Sequence, residues 1–368
     1  MITKLRRSLL VVMLAVAGCA GDPTDLPLGD AHRTNGWSTV PDAAPPSMQL
    51  PRLVVATESR IEIWNQVDRR MENSFPDRVI DLAPSSPRQI AARGARLFVS
   101  SASSTGAVVV IGDLGWVDPS PIGALSTTLS QGATADELLH VDGLDQLWTA
   151  DARGIWLVSD AASIDASSRG RAHFSASEVS TFAYDERRDM LLSSRKSGGI
   201  DVWLGARGRS GEVASDWVLA PTIKVSTLAV GHGRCWVADD SAHLLAWNLA
   251  ALDGPRAADV ELDLGGQPSA IGFRVDDVLV VTIEAPGEVQ LFAGASSLGS
   301  GARPTRSIVD PSIAAHAHGA ILDLDDRLYV RDDLGVAVFE DARSAARLVT
   351  KLDSHGAHAS PFSVVLVR

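Results

Sequence analysis

Seven times along the chain, two apolar residues one position apart are followed by a bulky, mostly aromatic side chain. The blocks start at Ile61, Val108, Ile155, Ile200, Leu244, Val289 and Val336, at spacings of 44 to 47 residues. In Gly287-Glu-Val-Gln-Leu-Phe-Ala-Gly, Val289 and Leu291 share one side and Glu288 and Gln290 the other. This period of two predicts a strand with one drier face. Around each block the pattern predicts four short strands, A to D, with the block as strand C. Strand B precedes it, as in Arg96-Leu-Phe-Val, Arg234-Cys-Trp-Val and Arg327-Leu-Tyr-Val. Strand D follows a polar connector, as in Asp216-Trp-Val-Leu and Asp259-Val-Glu-Leu. Strand A of the next unit follows a Pro, Ser or Thr turn, as in Pro87-Arg-Gln-Ile, Ser226-Thr-Leu-Ala and Pro268-Ser-Ala-Ile.

A regular repeat of this length and content predicts an all-β, seven-bladed β-propeller of four-stranded blades over residues 52–368. The two ends fit that count. The first unit has B, C and D strands but no A, and Phe362–Val367 reads as a lone A strand. Joined, they complete one blade and close the ring without a bare sheet edge at the junction.

The segment before residue 52 is of another kind. Lys4, Arg6 and Arg7 precede a short apolar run that ends in small residues, which predicts an export signal over 1–18. The run is too short to span a bilayer comfortably. Residues 20 to 51 are rich in Gly, Pro, Asp, Thr and Ser and show no period. They predict a linker, about 30 Å across as a coil, so 19–51 would be a tether.

Val16-Ala17-Gly18-Cys19 resembles the lipobox of bacterial lipoproteins. The resemblance implies that Cys19 is lipidated, becomes the first residue of the mature chain and anchors it to the membrane. Ala20, not Asp, follows the Cys, which in such lipoproteins points to the outer membrane where one exists. The repeats themselves resemble the NHL/YVTN-like propeller repeats of bacterial exported proteins. The residues that carry this are Leu328-Tyr-Val, Val336-Ala-Val-Phe-Glu-Asp-Ala and Val289-Gln-Leu-Phe-Ala-Gly-Ala-Ser-Ser-Leu-Gly. It covers most of residues 130 to 350 and implies a binding or scaffolding module. The WD40 signature is not met, because Trp64 and Trp247 are followed by Asn and Trp203 by Leu.

Charge narrows the partners. The formal net charge is -12, and removal of the leader with its three cations makes the rest more acidic. No basic patch supports nucleic acid or anionic lipid as a partner. With Cys19 assigned to the anchor, Cys235 has no partner for a disulfide and is expected as a small apolar core residue. The tryptophans on B and C strands (Trp64, Trp148, Trp156, Trp203, Trp236 and Trp247) are expected to pack between blades. Trp37 and Trp116 lie outside the repeat pattern.

Two histidine pairs stand out. His316 and His318 lie in Ala315-His-Ala-His-Gly, and His355 and His358 in Ser354-His-Gly-Ala-His. Both stretches precede an A strand, so the four rings are expected in equivalent loops of adjacent blades, near one mouth of the channel. Imidazole clusters suit zinc, copper or nickel, although solvated loop histidines give the same spacing. The acidic runs at Asp142–Asp145, Asp276–Asp277 and Asp323–Asp326 fall at A-to-B turns, where Asp is favoured in any case. No GxSxG, Walker, GxGxxG or paired-Cys pattern is present. The sequence therefore favours a binding module for protein partners in the cell envelope over its alternative, a propeller hydrolase or lactonase with a metal in the channel.

Overall fold

In the computed structural model the described residues are 52–57, 59–65, 67, 75–82, the strands of the second and third blades with a few flanking residues, 178–313, 316–353 and 363–367. The strands form seven sheets. Blade 1 contains β1 (Arg52–Ala56), β2 (Arg60–Trp64) and β3 (Arg78–Asp81). Blade 2 is β4 (Pro87–Arg93), β5 (Arg96–Ser101), β6 (Ala107–Ile111) and β7 (Leu125–Thr128). Blade 3 is β8 (Leu138–Val141), β9 (Leu147–Asp151), β10 (Gly154–Val158) and β11 (Ala172–Ser175). Blade 4 is β12 (Val179–Asp185), β13 (Met190–Arg195), β14 (Ile200–Leu204) and, after β15 (Gly211–Val213), β16 (Trp217–Leu219). Blade 5 is β17 (Val225–Gly231), β18 (Arg234–Asp239), β19 (His243–Asn248) and β20 (Val260–Asp263). Blade 6 is β21 (Pro268–Arg274), β22 (Val278–Ile283), β23 (Glu288–Ala293) and β24 (Arg306–Val309). Blade 7 is β25 (Gly319–Leu322), β26 (Leu328–Arg331), β27 (Gly335–Glu340) and β28 (Arg347–Asp353). The last strand, β29 (Ser363–Val367), returns to blade 1.

There β29 pairs antiparallel with β1, from Arg52↔Val367 to Ala56↔Ser363. The sheet order β29-β1-β2-β3 supplies the A strand that the first unit lacks. Blade 7 then packs on blade 1: Tyr329, Val336, Val338 and Leu352 share one buried cluster with Leu53, Val55, Trp64 and Val67. The expected head-to-tail closure is thus present in both hydrogen bonding and packing.

The core consists of slabs between neighbouring blades, and this changes the reading of the C strands. Each sheet is pressed between two others, so both faces of its inner strands are dry, while outer strands such as β20 and β24 keep an exposed side. Val289 and Leu291 face blade 7, among Ala320, Val330 and Ala337. Phe292 faces blade 5, among Trp236, Leu244 and Ala246. The same division holds for Ile61/Ile63 against Trp64, Ile200/Val202 against Trp203, and Leu244/Ala246 against Trp247. The two spaced aliphatics enter the seam ahead, and the closing aromatic enters the seam behind. The expected wet face is absent here: Gln290 is only 5% exposed and donates through Nε2 to the Leu264 carbonyl of blade 5. Glu62 and Asp201, at the corresponding positions, are fully buried. Asp201 is held by Arg195, Nε to Oδ2 at 2.6 Å.

Trp64, Trp148, Trp203, Trp236 and Trp247 are buried core residues as expected, whereas Trp156 is partly exposed and stacks on His173 at 4.1 Å. Cys235 is fully buried in the seam between blades 4 and 5. Burial raises its thiol pKa, which keeps it unreactive.

One strand is absent from the sequence reading. β15 leaves the connector between β14 and β16 of blade 4 and adds in parallel to β11, as a fifth strand on the outer edge of blade 3. Val213 fills the seam beside Phe174. Glu212 accepts from Ser175 and lies 2.7 Å from His173 Nδ1.

Candidate functional site

Strand order divides the loops between two faces. D-to-A and B-to-C loops share one, here called the upper face, and A-to-B turns and C-to-D connectors share the lower. The upper face at blades 6 and 7 carries His316 and His318. Their loop follows β24 and is fastened on both sides of residues 314–315. The Asp310 carboxylate accepts from Ser312 N at 2.8 Å, and Ile313 and Ala317 are buried in the seam. Ser269 sits at a register shift where β21 begins, and its hydroxyl donates to the Ala317 carbonyl at 2.7 Å. Ala317 is buried, whereas His316 is exposed and His318 half-buried. His316 Nδ1 lies 3.7 Å from Glu284, and His318 Nε2 lies 2.6 Å from Asp333.

Beside them lies a charged group whose Arg331 and Asp332 are buried. Lys351 Nζ donates to the Ser312 carbonyl at 2.7 Å and to Asp332 at 3.0 Å. Asp332 is fully buried and also accepts from the backbone of Leu334 and Gly335, which sets the turn between β26 and β27. Arg331 is buried and donates to the His318 carbonyl at 3.2 Å. Burial pushes its guanidinium down to about 9, against the pull of Asp333 and Asp332, so it stays protonated at neutral pH. One Lys and one Arg therefore hold the histidine loop to the turn that carries Asp333.

The structure brings His316 and His318 to one rim but gives each its own carboxylate. Among the described residues no group of three or more His, Cys, Asp or Glu side chains gathers as a metal ion would require. His355 and His358 lie outside the described residues, as does Cys19.

The lower face follows a rule that the sequence hid. In blades 4, 6 and 7 the A-to-B turn ends in an aspartate at positive φ, namely Asp189, Asp277 and Asp326. Its backbone carbonyl accepts an N–H from the C-to-D connector of the same blade, from Ala206, Ala295 and Ala342 respectively, each alanine fully buried. The acidic runs at 276–277 and 323–326 are turn residues, as expected, and they also dock the connectors; the run at 142–145 lies outside the described residues.

Blades 6 and 7 add a clamp on this face. Arg274, buried at the end of β21, reaches blade 7, where it donates to Asp326 and, at 2.9 Å, to the Leu324 carbonyl. It also lies 3.1 Å from Asp276 of its own turn. Arg343 closes the square, donating to Asp276 and Asp326 at 2.9 Å each. Burial opposes ionisation of Asp326, but hydrogen bonds from Arg343 and Arg274 outweigh it and hold its carboxyl below the usual range. No single-sequence signal pairs Arg274 with Asp326, since they belong to different repeats.

No family model matches the sequence, and no curated protein matches it. Many solved structures are similar in shape. The computationally designed Ika8 protein has a TM-score of 0.52 at 14% identity, over 75% of this chain and 76% of its own. Apo AztD from Citrobacter koseri has a TM-score of 0.53 at 12% identity, over 86% of this chain and 98% of its own. A second Citrobacter koseri AztD structure gives 0.52 and 12%, over 86% and 97%. The fold is a β-propeller. At such identities the likeness carries the architecture and no activity.

Proposed function

We propose that this chain is an exported, lipid-anchored propeller that binds protein partners in the cell envelope. The leader with Cys19 supports the anchor, and the NHL/YVTN-like repeats agree with a scaffold rather than an enzyme. One structural observation carries the binding part. Loops on both faces of blades 6 and 7 are held in place by ion pairs with one buried member each, Lys351–Asp332 above and Arg274–Asp326 below. Loops fixed before a partner arrives lose little conformational entropy on docking. Two experiments test the reading. Cys19→Ser should abolish metabolic labelling by a fatty acid and release the head from membranes. A photo-crosslinking residue at Leu334 on the upper face or Leu324 on the lower should yield discrete crosslinked proteins in cells. Unchanged labelling would remove the anchor, and no adduct from either position would remove the partner.

The second reading is a propeller hydrolase or lactonase with a divalent metal at the channel mouth, held by His316, His318, His355 and His358. The placement of His316 and His318 on one rim supports it, each ring beside a carboxylate. It requires purified protein to retain zinc or nickel after dialysis, to melt higher with the metal and to lose both properties in His318→Ala. Absence of retention ends it.

A further inference from the structure

The lower face carries a feature that its clamp does not explain. Val275 and Leu324 sit at the tips of the A-to-B turns of blades 6 and 7, and they are 56% and 51% exposed. Arg274 ties the two tips together: Val275 follows it in the chain, and its guanidinium holds the Leu324 carbonyl. Corresponding turns in blades 4 and 5 offer Glu186-Arg187 and His232-Gly233, with no exposed aliphatic tip. Isolated exposed aliphatics are common. Two on adjacent turns, fixed by a shared buried arginine beside the channel mouth, make a rigid apolar anchor point.

Charge around the tips selects what they meet. The turns carry Asp276, Asp277, Asp323, Asp325 and Asp326. Facing them are Arg274 and Arg343, both engaged by Asp276 and Asp326. Arg327 lies 3.8 Å from Asp325, and His232 lies 3.4 Å from Asp277. Asp323 is buried and accepts from the backbone N–H groups of Asp325 and Arg327. The other four carboxylates against three guanidiniums leave an acidic surplus, with Asp325 exposed.

We propose that the lower mouth at blades 6 and 7 is the docking surface for a partner protein, which engages it through a segment with an apolar side chain flanked by lysines or arginines. The apolar residue covers Val275 and Leu324, and the flanking cations meet Asp276 and Asp325. This deepens the proposed binding role and rests on it. An acidic membrane surface is excluded as the occupant by charge.

The test uses the full chain and a short synthetic peptide with two central leucines flanked by lysines, with a glutamate-flanked peptide as control. The lysine peptide should bind and slow amide exchange at 274–277 and 323–327, while the glutamate peptide does not bind. Val275→Ser/Leu324→Ser should weaken binding about tenfold or more at unchanged melting temperature, since both side chains are exposed. Equal binding to the double variant would overturn the proposal. So would protection of upper-face segments instead, which leaves a binding module with its surface elsewhere. A dimer lost in the double variant would reassign the surface to a second copy and overturn the partner. No binding by either peptide, with partner adducts forming from Leu334 but not Leu324, would sink this surface while sparing the general role.

Discussion

Val54, in the first strand, stands directly opposite Val365, in the last. That pairing turns a row of repeats into a ring, because it gives β1 the inner neighbour that each other B strand receives from its own repeat. A chain ending after Asp353 lacks β29 and leaves the edge of β1 open. It should lose cooperative unfolding and associate through that edge. Denaturant unfolding and sedimentation would check this; a monomer of unchanged stability would refute the closure.

Arg274 should be the more costly of the two clamp arginines to remove. It is buried, whereas the Arg343 side chain is 43% exposed. Arg274→Ala is expected to lose about 3 kcal/mol of unfolding free energy and Arg343→Ala about 1 kcal/mol or less. The double variant should lose more than the sum, since neither Asp276 nor Asp326 then keeps an arginine. Chemical denaturation of the four proteins gives the coupling directly.

The clamp also predicts an acid limit. The Asp326 carboxyl is held below its ordinary value in the folded chain, so the folded state gives up this proton more readily than the unfolded state. Its contribution is complete above the unfolded pKa of about 4 and is lost as pH falls through the lower folded value. The difference in melting temperature between the native chain and Asp326→Asn should therefore be constant from neutral pH down to about 5 and shrink below about 4. A difference that grows on acidification would contradict the assignment.

Gly231 closes β17 where blade 6 presses on blade 5. A Cβ there would meet the Phe273 ring at 2.5 Å. Gly231→Ala should cost about 1–3 kcal/mol by overpacking, and adding Phe273→Leu should return part of that loss. If the alanine variant melts like the native chain, the two blades are not in such close contact.

The fold was legible because a propeller repeats one local problem seven times. Strand alternation, turn residues and spacing recur every 44 to 47 residues, and Ile61-Glu-Ile-Trp and Val336-Ala-Val-Phe state the same solution at opposite ends of the chain. Even the closing strand followed from counting, since one unit lacked what the tail supplied. What the alternation could not show was that the second face of the C strands is buried too, while outer strands such as β20 and β24 do keep an exposed side. Gln290 and Glu62 look solvated in sequence because a period of two does not reveal a second sheet behind the first. β15 was invisible for a related reason: Gly211-Glu-Val is too short to carry a pattern, and its partner β11 belongs to the preceding blade.

Site chemistry divides along the same line. Sequence alone identified the histidine stretch before β25 and the acidic turns, because each is a local composition. Only the tertiary structure decided that His318 meets Asp333, that Lys351 secures the loop beneath it, and that Arg274 joins two blades. Such contacts form between repeats, across seams whose facing residues are set by how the sheets twist and stack. No periodicity along the chain encodes which charge ends up opposite which.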